Sequence, residues 1–205
     1  MKKLTLVLSF AMLLMAACND AKKETSTGNV KEDAATEKVD TSGMDPAWAA
    51  YMTPGEPHKM LALNDGKWDA EITFYYNPDT PSVNKVSCEN KMILGGRYQQ
   101  SVYDGKVEGM PFAGISTLAY DNARKVYIST WIDNMGTGMM YLEGTFDAGN
   151  QTMLMTGKTV DVTSGKDIEI RETLKIVDKD TQLMEMFDTK DGKETKTMSI
   201  VLKRR

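Results

Sequence analysis

From Trp68 to the C terminus the chain alternates apolar and polar residues with a period of two, and turn-forming pairs interrupt the alternation at short, regular intervals. In WDAEITFYY, Trp68, Ala70, Ile72, Phe74 and Tyr76 fall on one face and Asp69, Glu71 and Thr73 on the other, which is the pattern of a half-buried strand. The turn formers Asn77-Pro78-Asp79 through Pro81 end it. The same reading predicts strands over 68–76, 86–94, 97–104, 112–121, 125–133, 138–146, 151–162, 167–178, 181–189 and 195–204. Asp104-Gly105, Asp121-Asn122, Gly149-Asn150, Ser164-Gly165 and Asp191-Gly192 stand between them at hairpin distances.

Strands joined in this way make an antiparallel meander. Left open, so wide a sheet would have two unpaired edges and one wet face, whereas closure satisfies every ladder. The expected fold is all-β, an antiparallel up-and-down barrel of about ten strands, with a β-sandwich as the alternative. Closed barrels of this size commonly hold one small ligand. Gly95-Gly96, in MILGGRYQQ, has the glycines of a phosphate loop but no helix start after it, so it reads as a tight turn or bulge between two strands.

One or two short helices precede the strands. Asp45-Pro46 before AWAAYM supplies a cap and a proline at the first helical position. After Thr53-Pro54-Gly55, the segment EPHKMLALNDGKW offers a second helix, with Met60, Leu61 and Leu63 available to pack and Gly66 placed to end it. Residues 45–205 therefore read as one domain without repeats.

Upstream, Lys2 and Lys3, an apolar run from Leu4 to Met15 and the small pair Ala16-Ala17 form a secretory signal over residues 1–17, too short to span a membrane. The stretch LLMAAC resembles the bacterial lipobox, with Met15 where Leu, Val or Ile is usual. That resemblance implies lipidation of Cys18 and a bacterial envelope location, with the domain in the periplasm or on the cell surface. Residues 18–44 are rich in Lys, Glu, Asp, Thr and Ala and poor in bulk apolar side chains, so they read as a disordered tether. With 25 Lys+Arg against 29 Asp+Glu, and Lys2 and Lys3 removed with the leader, the chain is mildly acidic. Nucleic acid is not an expected partner. The expected partners are a membrane, through the lipid on Cys18, and a small apolar ligand. Cys88 is left without a disulfide partner and reads as a small buried hydrophobe.

The ordered motifs HKMLALNDGKW, ILGGRYQQSVYDG, GMPFAGISTLAYDNARKVYISTWIDNMGTG, EGTF and MSIVLKRR resemble the bacterial family known as domain of unknown function 1579. The resemblance spans roughly 54–205 and implies a lipocalin-like or calycin-like barrel. It lends no activity. Ala119 stands where the family more often has Gly before Tyr-Asp.

Motifs for chemistry are near misses. Gly157-Lys158-Thr159 has Thr152 where a P-loop needs its first glycine. There is no G-x-S-x-G, and one histidine, His58, ahead of the barrel, which gives no support to a catalytic triad, a zinc site or the histidine-ligated haem of nitrobindin-type barrels. DKDTQ and DTKDGKE lack a full calcium ladder. Met153 with Met155, and Met184 with Met186, put thioethers on one face of a strand, which suits copper(I) or, more simply, an adaptable apolar core. No cofactor or metal is expected.

The candidate ligand-binding residues are Arg97, Tyr120, Trp131, Asp133, Arg171 and Glu172, polar or aromatic groups in strand positions. Trp131 and Asp133 share a face, whereas Arg171 and Glu172 point opposite ways, so at most one of those two faces the interior. Two classes of function follow: a binding module for a small, largely apolar ligand, or an enzyme using Asp133 or Glu172 as acid or base with Arg97 holding an anion. A ligand-free scaffold is a third.

Overall fold

The alternation folds as predicted into strands that close on themselves. The computed structural model describes residues 40–77 and 79–205; the predicted leader 1–17, Cys18 and most of the tether lie outside the described residues. Two short helices, α1 (Pro46–Met52) and α2 (Glu56–Ala62), lead into ten strands: β1 (Gly66–Phe74), β2 (Ser82–Ile93), β3 (Tyr98–Val107), β4 (Met110–Asp121) and β5 (Val126–Asp133), then β6 (Met140–Asp147), β7 (Thr152–Asp161), β8 (Lys166–Asp178), β9 (Thr181–Lys190) and β10 (Lys193–Arg204). Each strand pairs antiparallel with its neighbours in the chain, and β1 pairs with β10 from Trp68↔Arg204 to Phe74↔Met198, closing the barrel.

The inward set follows the period of two. Trp68, Ala70 and Ile72 are buried on β1, Val86 and Cys88 on β2, and Ile200 and Leu202 on β10, in one apolar cluster with Tyr103 and Phe112. A second cluster gathers Leu61 of α2 with Tyr127, Leu142, Met153, Met155 and Ile170. One end of the barrel is covered by α2, which packs on β2, β3 and β4. The opposite end is bordered by hairpin loops.

Several local expectations are corrected. Asp104-Gly105 is not a turn but part of β3; the reversal comes at Glu108-Gly109, with φ of 51° and 77°. Gly105 instead permits close approach, since a Cβ there would meet Val86 at 2.9 Å. Tyr76 leaves β1 and lies exposed, stacked on Phe74 at 5.2 Å. Gly66 does not end the second helix, which stops at Ala62; it opens β1 at φ 128°, where a Cβ would meet the Arg204 guanidinium at 2.9 Å. Leu94, Gly95 and Gly96 all have positive φ in the β2–β3 turn, so this glycine pair is a strand corner.

Candidate functional site

Inside the barrel lies a cavity of about 290 Å³. Its floor, under α2, is a network of neutral amides. Asn64 Oδ1 accepts from Gln182 Nε2 at 2.8 Å, the Asn64 carbonyl accepts from Asn90 Nδ2 at 3.2 Å, and Gln99 Nε2 donates to the Leu61 carbonyl and to Asp65 Oδ1. These amides thus bond to groups of α2 and of its C-terminal turn. Trp68 Nε1 adds a bond to the Asn64 carbonyl at 3.0 Å. Helix α2 is therefore fastened from inside the barrel.

Toward the other end the wall is aromatic. The Trp131 ring lies over Gly114, where a Cβ would meet it at 2.5 Å. It meets Tyr103 edge-on at 5.3 Å and Phe112 at 6.3 Å. Trp131 Nε1 donates to Asp133 Oδ2 at 2.6 Å, while Asp133 Oδ1 accepts from the backbone amides of Met135 and Gly136 at 2.8 and 3.1 Å. Both Asp133 oxygens are engaged, so this carboxylate orients the indole and pins the β5–β6 loop.

Between floor and mouth, the register lines up one row of directly paired residues: Phe74, Met198, Met186, Glu172 and Met155. Glu172 thus sits in the wall with a methionine on each side. Glu172 is half-buried and lines the cavity, and among the described residues its carboxylate has no hydrogen-bond or ion-pair partner. Desolvation alone pushes it up to about 7. Burial, followed by the neighbouring Cys88 and Glu172, pushes the Tyr103 hydroxyl well up as well. The Cys88 thiol is raised by burial to about 11, so it is held as an unreactive thiol at neutral pH.

Of the six candidate residues, Trp131, Asp133 and Glu172 line the cavity. Tyr120 lies in the wall beside the closing helix, with its ring edge-on to His58 at 5.9 Å and to Tyr127 at 4.9 Å. Arg97 is in the β2–β3 turn rather than in a strand, and its guanidinium donates to the carbonyls of Met52 at 2.8 Å and Leu94 at 3.1 Å, fastening the end of α1. Arg171 faces outward over the Phe187 ring, with two bonds to Glu194 at 2.7 Å. The pair Arg171 and Glu172 does split as the alternation requires, with the acid inside. His58 accepts from the Gly55 amide at Nδ1 and is buried in the second helix, with its pKa lowered by desolvation.

The polar floor, Asn64, Asn90, Gln99 and Gln182, was not among the expected site residues, nor were Ser101, Ser116 and Ser129, which also line the cavity. An inward polar residue on a strand looks like an outward one unless the face is known. For Glu172 a signal was present: Ile168, Ile170, Leu174 and Ile176 occupy its face of β8, so the acid interrupts an apolar stripe. Met153, Met155, Met184 and Met186 all line this one cavity with Met140 and Met198, an adaptable, polarisable lining. Among the described residues no group of three His, Cys, Asp or Glu side chains is gathered to hold a metal, and no helix is long and apolar enough to cross a membrane.

The family described as "Protein of unknown function (DUF1579)" matches residues 53–204. No curated protein matches the chain. Among solved structures, Rv2717c from M. tuberculosis is similar, with 12% identity and a TM-score of 0.53, covering 75% of this chain and 99% of that one. At that identity the likeness speaks for the fold alone.

Proposed function

The chain belongs to the DUF1579 family, and we propose that its barrel is a binding module for a small, largely apolar ligand at the bacterial cell envelope. The observation that carries this reading is the interior: a cavity of about 290 Å³ walled by methionines and aromatic rings above a floor of paired amides, with an unpaired carboxylate in its wall. Such a site, mostly apolar with a sparse set of orienting groups, is what small-ligand pockets share. A scaffold would have no use for an unfilled core, because close packing stabilises it further. The envelope location rests on LLMAAC and the lipid expected on Cys18.

The test is native mass spectrometry of the protein purified from its own host. A recurrent non-covalent mass, displaced by unfolding, is the expected result; bare protein in repeated preparations and after challenge with a lipid extract removes the reading. Cys18→Ala should move the protein out of the membrane fraction, and a variant that still sediments with membranes removes the anchor.

A second reading, an enzyme, is favoured by one observation: Glu172 titrates near neutrality, where a general acid or base is most effective. Against it, Asp133 is occupied by Trp131 and the loop amides, leaving among the described lining residues no second carboxylate free to act with Glu172. If this is an enzyme, the molecule recovered from Glu172→Gln differs covalently from that recovered from the unmodified protein; a binding module returns the same molecule.

A further inference from the structure

We infer that the cavity selects ligands bearing a protonated amine, seated on Glu172, over neutral or anionic molecules of the same shape. This inference rests on the reading of the barrel as a binding module and names the class of ligand it takes.

The first support is the charge of the wall. Its ionisable lining residues are Asp133 and Glu172, with the phenol of Tyr103; no Lys, Arg or His lines the cavity among the described residues. A carboxylate or phosphate ligand would enter a low-dielectric space with no cation to receive it and two acids to repel it. Fatty-acid-like cargo is therefore disfavoured by the same wall that suits an apolar body.

Glu172 itself is the second support, as the unpaired one of the two lining carboxylates. Asp133 has donors on both oxygens, whereas Glu172 has none, although it lines the cavity between Met155 and Met186. A buried carboxylate without donors is costly. An ammonium group supplies both the missing hydrogen bonds and the counter-charge, and the bond so formed is of the strong, charge-assisted kind. The remaining walls suit a cation as well. Tyr103 and Phe112 lie 5.3 and 6.3 Å from the Trp131 ring, and aromatic faces attract ammonium groups, while thioether sulfur is polarisable. The volume of about 290 Å³ limits the body to one ring or a short chain.

The test is calorimetric titration of the full-length chain with three probes of one shape: 2-phenylethylamine, 2-phenylethanol and 3-phenylpropanoate. At pH 8 the amine should bind at least about tenfold more tightly than the alcohol, and the carboxylate more weakly than either. Glu172→Gln should remove the amine's advantage and leave the alcohol's affinity within about threefold. The advantage should also shrink as pH falls to 5 and Glu172 takes up its proton. Tyr103 stays protonated throughout, because burial raises it, and Asp133 keeps its three donors. If the variant fails to fold, the ranking of the three probes on the unmodified protein decides alone. An alcohol or carboxylate that matches or exceeds the amine overturns the inference and leaves the binding module standing. Failure of all three probes to bind removes the module, and the inference with it.

Discussion

At the scale of single residues, Glu172 couples the cavity to stability. Its folded pKa of about 7 lies above the ordinary 4.5, so between those values the folded chain keeps a proton that the unfolded chain has released. Stability therefore falls as pH rises through that window and levels off above it. The integrated effect is up to about 3 kcal/mol. Glu172→Gln does not titrate, so it should be more stable than the unmodified protein at pH 8, by about 1 to 3 kcal/mol, and nearly equal to it at pH 4. Urea midpoints at the two pH values measure this, and a difference that does not change with pH would show that the carboxylate is not desolvated. Glu172 was legible in the sequence as a candidate, but its mate Arg171 was equally so. What separates them is the face of β8, and the apolar stripe from Ile168 to Ile176 supplies that face. Arg97 was misplaced for a different reason. It stands one residue before β3 and is held by carbonyls of α1 and of its own turn, a partnership across distant residues that alternation does not encode.

At the scale of elements, helix α2 is too short to stand alone, and its position depends on strands that follow it in the chain. Arg204 of β10 donates to the carbonyls of Asp65 at 2.6 Å, Leu63 at 2.9 Å and Lys179 at 3.2 Å, and its guanidinium lies 4.2 Å from the Trp68 ring centroid. Charge-assisted bonds to carbonyls at a helix end, made by a planar fork over an aromatic face, are not reproduced by lysine. Arg204→Ala, and Arg204→Lys to a lesser extent, should lower stability by about 2 kcal/mol, with the alanine variant changing the fluorescence of Trp68. A urea midpoint equal to the unmodified protein's would mean that the amides of the floor hold α2 by themselves. The strands themselves were legible because side-chain direction repeats every two residues whatever the tertiary context. The β3 turn was not, because Asp-Gly also serves where two strands approach closely, as Gly105 does against Val86. The floor was hidden for a related reason: Gln99 and Ser101 are polar yet inward, while Tyr98 and Val102, on the other face of β3, are exposed.

At the scale of the molecule, closure makes the strands unequal in what their loss would do. Removing residues 193–205 unpairs β1 and β9 together and takes Arg204 away from α2. That truncated chain should lose cooperative thermal unfolding. Removing residues 40–52 takes away α1, which buries no residue and is held chiefly by Arg97 and by Asn122, whose side chain donates to Ala50, Tyr51 and Thr53. The midpoint of that second variant should fall by only a few degrees, for a loss of about 1 kcal/mol. Circular dichroism melts of both variants test the asymmetry, and equal losses would contradict it. Every ladder but one joins strands adjacent in the chain; the seam pairs Trp68 of the first strand with Arg204 of the tenth. Contacts so distant along the chain form late in folding. A chain still being synthesised must therefore keep β1 as an open edge and its cavity without a secured floor until β10 arrives, and the period before that moment is when it is most exposed to aggregation and proteolysis.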